Sequence, residues 1–149
     1  MIMTIRTMEI EDYEKIYDLW IHTKGMGLNT VDDSREGIAQ YLLRNPNTCF
    51  VAEDNGKLIG VIMSGHDGRR GFIYHTMVSQ EYRGQGIGKK LVDSAMKALE
   101  AEGIHKAALV AFEKNVTGNA FWEKAGFTVR DDLVYRNKNI HQIKRIDII

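Results

Sequence analysis

The apolar run Phe72–Val78 has strand character and passes through Ser79-Gln-Glu-Tyr82 into Arg83-Gly-Gln-Gly-Ile-Gly88, where the chain's longest amphipathic segment begins. A strand that turns over three alternate glycines directly into a helix constrains the fold more than any other feature of this chain. It calls for a sheet with a helix laid beside it, and it leaves free N–H groups at the helix start. Those amides and the positive end of the helix dipole together form an anion site. The flanking charges point the same way. First turns of helices favour acidic residues, yet Arg83, Lys89 and Lys90 surround this one and no acid occurs before Asp93. A cationic rim fits a site where an external anion supplies the negative charge. The competing reading is a tight strand-to-helix turn with solvated lysines. Other phosphate loops fit poorly. A Walker loop fails at both ends, with Arg83 and Lys90 in the defining positions, and Leu91 stands where a dinucleotide fingerprint needs its last glycine.

The remaining periodicities place elements around this loop. Met1–Arg6 reads as a strand. Tyr13, Ile16, Tyr17 and Trp20 recur at helical spacing within Glu9–His22. Lys24–Asp33 reads as a loop, after which Ser34 can cap a second helix with Ile38, Tyr41 and Leu42 inward, ending before Pro46. Cys49–Glu53 and Leu58–Ser64 flank Asp54-Asn-Gly-Lys57, a strong hairpin signal. Ile87–Glu102 is predicted helical, with Ile87, Leu91, Ala95 and Ala98 sharing a face and Gly103 as its stop. Lys106–Phe112 reads as a strand and Val116–Lys124 as a short helix. Phe127–Arg130, Leu133–Arg136 and Gln142–Ile148 are expected to complete the sheet. The order predicts a mixed α/β, α+β-like fold of about seven strands and four helices, antiparallel at first, with one strand–helix–strand crossover.

At 149 residues without repeats or linkers, the expectation is one domain spanning 1–149. A formal net charge of zero and no basic block argue against nucleic acid or an anionic membrane as partner. No apolar run is long enough for a membrane span, and Met1–Arg6 does not read as a signal peptide. Cys49 is the single cysteine and reads as a buried thiol in a strand; with no internal disulfide available, a cytoplasmic location is expected.

With these elements laid out, the chain resembles the GNAT superfamily of N-acetyltransferases. Arg83-x-x-Gly86-x-Gly88 is similar to that family's pyrophosphate-binding signature, and Asn115-Val-Thr-Gly-Asn-Ala-Phe-Trp-Glu-Lys-Ala-Gly-Phe127 resembles its second segment, Asn…Ala-x-x-(Phe/Leu)-Tyr-x-x-x-Gly-Phe. The resemblance implies a twisted mixed sheet splayed between the fourth and fifth of the predicted strands, Phe72–Val78 and Lys106–Phe112, with acetyl-coenzyme A in the gap. It implies that the backbone of Met77 and Val78 pairs with the pantetheine arm and that Arg83, Gly84, Gln85, Gly86, Ile87, Gly88 and Lys89 hold the pyrophosphate. Asn115, Asn119, Trp122 and Lys124 would border the cofactor on the other side, although Asn115 is also a good helix N-cap. The nearest-looking members are small bacterial proteins related to ribosomal-protein N-terminal acetyltransferases, and Gly65-His-Asp-Gly-Arg-Arg-Gly71 looks like one subgroup of them. The family also permits homodimers.

The implied chemistry is transfer of an acetyl group to a primary amine, on a small molecule or a protein, by direct attack in a ternary complex. A lysine-like amine has a pKa of about 10.4, so only about one in a thousand is neutral at pH 7 and a base or desolvating pocket is needed. A backbone N–H near Val78 is expected to hold the developing oxyanion. The chain departs from the pattern twice. Trp122 stands where the family usually places an acid tyrosine, and Val110 stands where related enzymes have a glutamate base. His75 and Glu113 are therefore the candidate bases, with Tyr135 or a water as substitute acid. Trp20, Asn29, Asp67 and Arg70 are the candidate acceptor-binding residues. No metal-ligand spacing is evident. The second function consistent with these departures is a CoA-binding sensor that has lost catalysis.

Overall fold

The computed structural model describes residues 1–149. Seven strands, β1 (Met3–Thr7), β2 (Gly27–Asn29), β3 (Phe50–Asp54), β4 (Lys57–His66), β5 (Gly71–Val78), β6 (Ala107–Leu109) and β7 (Arg145–Asp147), alternate with four helices, α1 (Tyr13–Ile21), α2 (Arg35–Arg44), α3 (Ile87–Ala101) and α4 (Val116–Lys124). The strands form two sheets. Five lie in the order β1-β3-β4-β5-β6, antiparallel except for the parallel β5–β6 pair, and β2 pairs with β7 in a small sheet of its own.

Local chemistry explains the boundaries. Asn55 and Gly56 both take positive φ (49° and 87°), the geometry that an Asn-Gly hairpin turn supplies between β3 and β4. Ser34 Oγ accepts the Gly37 N–H at 3.1 Å and caps α2. The α1 stripe buries Ile16 and Trp20 completely, and with Ile38 and Leu42 of α2 these cover one face of the main sheet over Val51, Val61 and Met77. On the other face, α3 buries Ile87, Leu91, Val92 and Ala95 against Ala52, Ile59, Ile62 and Ile73. The α3 stripe runs on to Leu99, at 2 % exposure, rather than to Ala98, because an i, i+4 row from Leu91 stays over the sheet.

The C-terminal expectation needs correcting. Residues 127–136 form no strand: a turn at Asp131–Asp132 interrupts them, and Arg130 pairs locally with Asp132 at 2.8 Å. Only Arg145–Asp147 is extended and paired, and its partner is β2, a segment expected to be loop. Flanking bonds from Gly25 N–H to Ile148 O (2.7 Å), Ile148 N–H to Met26 O (2.8 Å) and Thr30 N–H to Lys144 O (2.9 Å) clip the tail to the α1–α2 connection.

Two irregularities in β5 interrupt the regular sheet. Between Ile62↔Thr76 and Ser64↔Ile73, β5 uses one residue more than β4, a bulge at Tyr74–His75. In addition, β6 pairs with β5 only as far as Ile73↔Leu109. From Tyr74 to Val78 the β6 side of β5 has no strand partner, so the sheet splays there.

Candidate functional site

At the end of β5 the chain makes a one-turn helix, Gln80–Tyr82, and enters the glycine loop. Gly84 and Gly86 sit at φ 78° and 79°, left-handed conformations that disfavour side chains. A Cβ built on either would meet nothing within 4 Å, so the space over the loop is open. Gly88 has a different role: a Cβ there would lie 3.0 Å from the Phe121 ring, so this glycine lets α3 approach α4 closely. Gln85 is exposed, whereas Ile87 is buried and anchors the helix start. No acidic side chain occupies the first turn of α3. Arg83 Nε donates to Val78 O at 3.0 Å, and its terminal guanidinium nitrogens make no bond within the protein. Lys89 pairs with Asp93 at 2.7 Å, one turn along its own helix, while Lys90 has no carboxylate partner. The excess of positive charge at the loop is therefore carried by Arg83 and Lys90.

Backbone direction decides which amides face the gap. Ser79 N–H donates to Ile59 O at 2.8 Å, and Val61 stands opposite Met77. Successive strand amides point to opposite sides, so Met77 pairs with β4 whereas Thr76 and Val78 turn theirs toward the gap. The sequence-based choice of Met77 is corrected accordingly. Across the gap, a cleft of about 300 Å³ is lined by His75, Thr76, Phe112, Asn115 and Trp122 together with Gly25–Gly27. Asn115 Oδ1 accepts the Gly118 N–H at 3.0 Å and caps α4, and Asn119 Nδ2 donates to Phe112 O and Asn115 O, both at 2.9 Å. Trp122 packs edge-on between Phe121 and Phe127, at centroid distances of 5.1 and 5.2 Å. Lys124 is exposed in the last turn of α4. A larger open depression of about 750 Å³ lies along the C-terminal half of α3, near Lys97, Glu100 and His105. It is at the opposite end of that helix from the glycine loop.

His75 stands where the bulge puts it. Ile73 packs toward α3, but Tyr74 and His75 both meet residues of the opposite helix layer, Tyr74 beside Tyr41 (5.7 Å) and His75 edge-on to Trp20 (4.7 Å). Without the extra residue, strict alternation would return His75 to the face of Ile73. His75 Nε2 lies 2.6 Å from Asp33 Oδ1, and both side chains are largely buried, at 14 % and 6 % exposure. Asp33 Oδ2 accepts the Asn29 N–H at 2.9 Å. Tyr13 Oη donates to the Asp33 carbonyl at 2.6 Å.

The other predicted residues are dispersed. Trp20 is fully buried behind His75 and does not line the cleft. Asn29 shapes the turn, accepting the N–H groups of Val31 and Asp32. Asp67 and Arg70 lie in the β4–β5 turn, at the end of β5 remote from the loop. There Asp67 Oδ1 accepts the Arg69 and Arg70 amides, both at 2.8 Å, and these bonds hold its carboxyl below the usual range. Glu113 is exposed without an ion pair, and Tyr135 is exposed in the strandless segment. Burial, reinforced by Tyr135 and Asp32, raises the Tyr74 phenol above its ordinary value. The residue that sequence reasoning missed is Asp33. Its only signal was Asp32-Asp33-Ser34 ahead of a helix, which reads as capping chemistry.

The Acetyltransferase (GNAT) family pattern matches residues 13–127. An acetyltransferase of Yersinia pestis is 32% identical over 132 residues, covering 89% of this chain and 92% of the relative. A Sodalis glossinidius acetyltransferase is 31% identical over 138 residues, covering 93% and 96%. Among solved structures, the PaiA N-acetyltransferase of Thermoplasma acidophilum in complex with coenzyme A superposes with TM-score 0.74 at 22% identity, covering 88% of this chain and 92% of that one. The ribosomal-protein-alanine N-acetyltransferase of Brucella melitensis gives TM-score 0.67 at 20% identity, covering 93% and 100%. A strand opened beside a glycine loop and a match across most of the chain converge on one assignment: the protein belongs to the GNAT family of acetyltransferases, with acetyl-CoA as its acyl donor.

Proposed function

We propose that the protein acetylates a primary amine, on a small molecule or a protein, with donor and acceptor bound together and the amine attacking directly. The observation that carries this is the unpaired half of β5, which runs from a cation-flanked, amide-rich loop to a histidine at the edge of the cleft. When bound, acetyl-CoA supplies an activated acyl group on a thiol that leaves readily. The residues present fit it: open space above Gly84 and Gly86, orphan amides at the α3 start, and free guanidinium nitrogens on Arg83 suit a diphosphate. Gln85, Gly88 and Lys89 complete that rim. The gap-facing N–H groups of Thr76 and Val78 suit an extended amide-bearing arm, in the manner of an added strand, while the Val78 carbonyl is taken by Arg83 Nε. Asn115, Asn119, Trp122 and Lys124 border the other side.

His75 takes the role of base in this reading, because Glu113 is solvated outside the cleft. Trp122 packs between two aromatic rings and offers no acidic proton, so it shapes the cleft rather than serving as an acid. A thiol pKa of about 8.5 makes proton donation to the leaving group worth only a modest factor. A histidine with a free ring nitrogen at the cleft favours turnover over a silent sensor.

Gly86→Glu tests the loop. The substitution places bulk and negative charge above the amides, and calorimetry with CoA is expected to show binding lost. Left-handed backbone costs a side chain about 1–2 kcal/mol, so Gly86→Ala serves as the control that carries strain without charge. Unchanged CoA affinity in Gly86→Glu would overturn the loop assignment. Acceptor-dependent thiol release across a panel of amines tests the reaction itself.

A further inference from the structure

We infer that Asp33 is the positioning residue for His75, holding its imidazole as the Nε2–H tautomer so that Nδ1 is the nitrogen presented to the acceptor amine; this rests on the acetyl-transfer reading above. An ionised carboxylate only accepts hydrogen bonds, so at 2.6 Å from Asp33 Oδ1 it is His75 Nε2 that carries the proton. Nδ1 then has a free lone pair. It makes no bond within the protein, yet it is absent from the buried unpartnered side-chain atoms, which comprise only Trp20 Nε1 and Tyr41 Oη. Nδ1 is therefore solvent-accessible, on a residue that lines the cleft.

The surroundings are built to keep this arrangement. Asp33 is 6 % exposed at its side chain, and a buried carboxylate is costly unless its oxygens are satisfied. Both oxygens are bonded, Oδ1 to the imidazole and Oδ2 to the Asn29 amide. The main chain at Asp33 is fixed by Tyr13 Oη, and the connection that bears it is clipped by β7. The Trp20 ring packs edge-on to the imidazole at 4.7 Å and limits its rotation. The Asn29, Tyr13 and β7 contacts fix Asp33 and the connection that bears it, and the Asp33 carboxylate and the Trp20 ring restrain the imidazole itself.

In the step served by this pair, an N–H bond of the acceptor ammonium breaks. The electron pair stays on the amine nitrogen, and the proton goes to His75 Nδ1. The resulting imidazolium faces the Asp33 carboxylate across Nε2–H, so the cation forms beside a fixed anion. The proton then passes from Nδ1 to water at the cleft surface.

Nitrogen NMR of uniformly labelled wild-type protein above the imidazole titration reads the tautomer without any turnover. The expected spectrum has His75 Nε2 protonated and Nδ1 unprotonated; a predominant Nδ1–H form overturns the inference. Asp33→Asn presents an amide that can donate to Nε2, so the tautomer is expected to shift toward Nδ1–H. With it, kcat should fall about 100-fold or more while KM for acetyl-CoA stays within about twofold. Asp33→Asn combined with His75→Ala should be no slower than His75→Ala alone, because the pair acts as a unit. Retained kcat in a folded Asp33→Asn overturns the positioning role even where acetyl transfer itself is confirmed. Absent turnover in the wild type overturns the acetyl-transfer reading and leaves the tautomer to the spectrum. If Asp33→Asn fails to fold, the wild-type spectrum decides.

Discussion

Residues 1–104 and 105–149 are built on different principles. All 32 buried residues lie in the first region, the last of them Ile104, and none lies in the second. The first region is two helix layers over a four-stranded antiparallel sheet, closed on both faces. The second consists of a three-residue strand, a helix with no buried side chain, an exposed connection and a short strand clipped to β2. The cleft runs along the boundary between them, with β5 on one side and Val110–Trp122 on the other. A rigid wall thus carries the loop and His75, and a lightly packed wall faces it. Local stability follows buried apolar contact, so the second wall is the one suited to adjust around a ligand.

Substitutions can test this contrast, and the largest effect belongs in the first region. Leu91 is fully buried against the sheet, so Leu91→Ala should cost about 2–5 kcal/mol in denaturant unfolding. A loss under about 1 kcal/mol would mean that the core is less closed than its burial implies. At the other extreme, Leu133 is 59 % exposed and touches no core cluster. Leu133→Asp should change stability by no more than about 0.5 kcal/mol. A loss of several kcal/mol would show that residues 128–136 are packed in solution and would erase the contrast.

Legibility in the sequence follows the same division. Where a segment carried its own signal, the reading matched: the Asn55-Gly56 turn, the Ser34 cap, the α1 stripe, the α3 stripe as far as Ala95, and α4 from Val116 to Lys124. Cys49 is indeed a buried thiol, its pKa pushed up to about 12 by burial, with Sγ 3.3 Å from Ser64 O. Readings failed where pairing depends on distant partners. Apolar residues around Val129 and Leu133 suggested strands, but no edge pairs with them, and β7 found Gly27–Asn29 instead. The loop was legible because glycine spacing and local charge define it. The His75 neighbourhood was only half legible. A bulge one residue long sets the ring's direction, and its partner Asp33 is 42 positions away on a connection that looked like ordinary loop.

Hydrogen exchange with and without saturating CoA tests the central claim most directly, that the glycine loop and the unpaired half of β5 form one ligand-binding surface. Slowed exchange is predicted at the amides of Gly84–Lys90 together with Thr76 and Val78, with no change in the turn at Asp67–Arg70. Protection confined to the depression along the end of α3, or no protection at all, would contradict it.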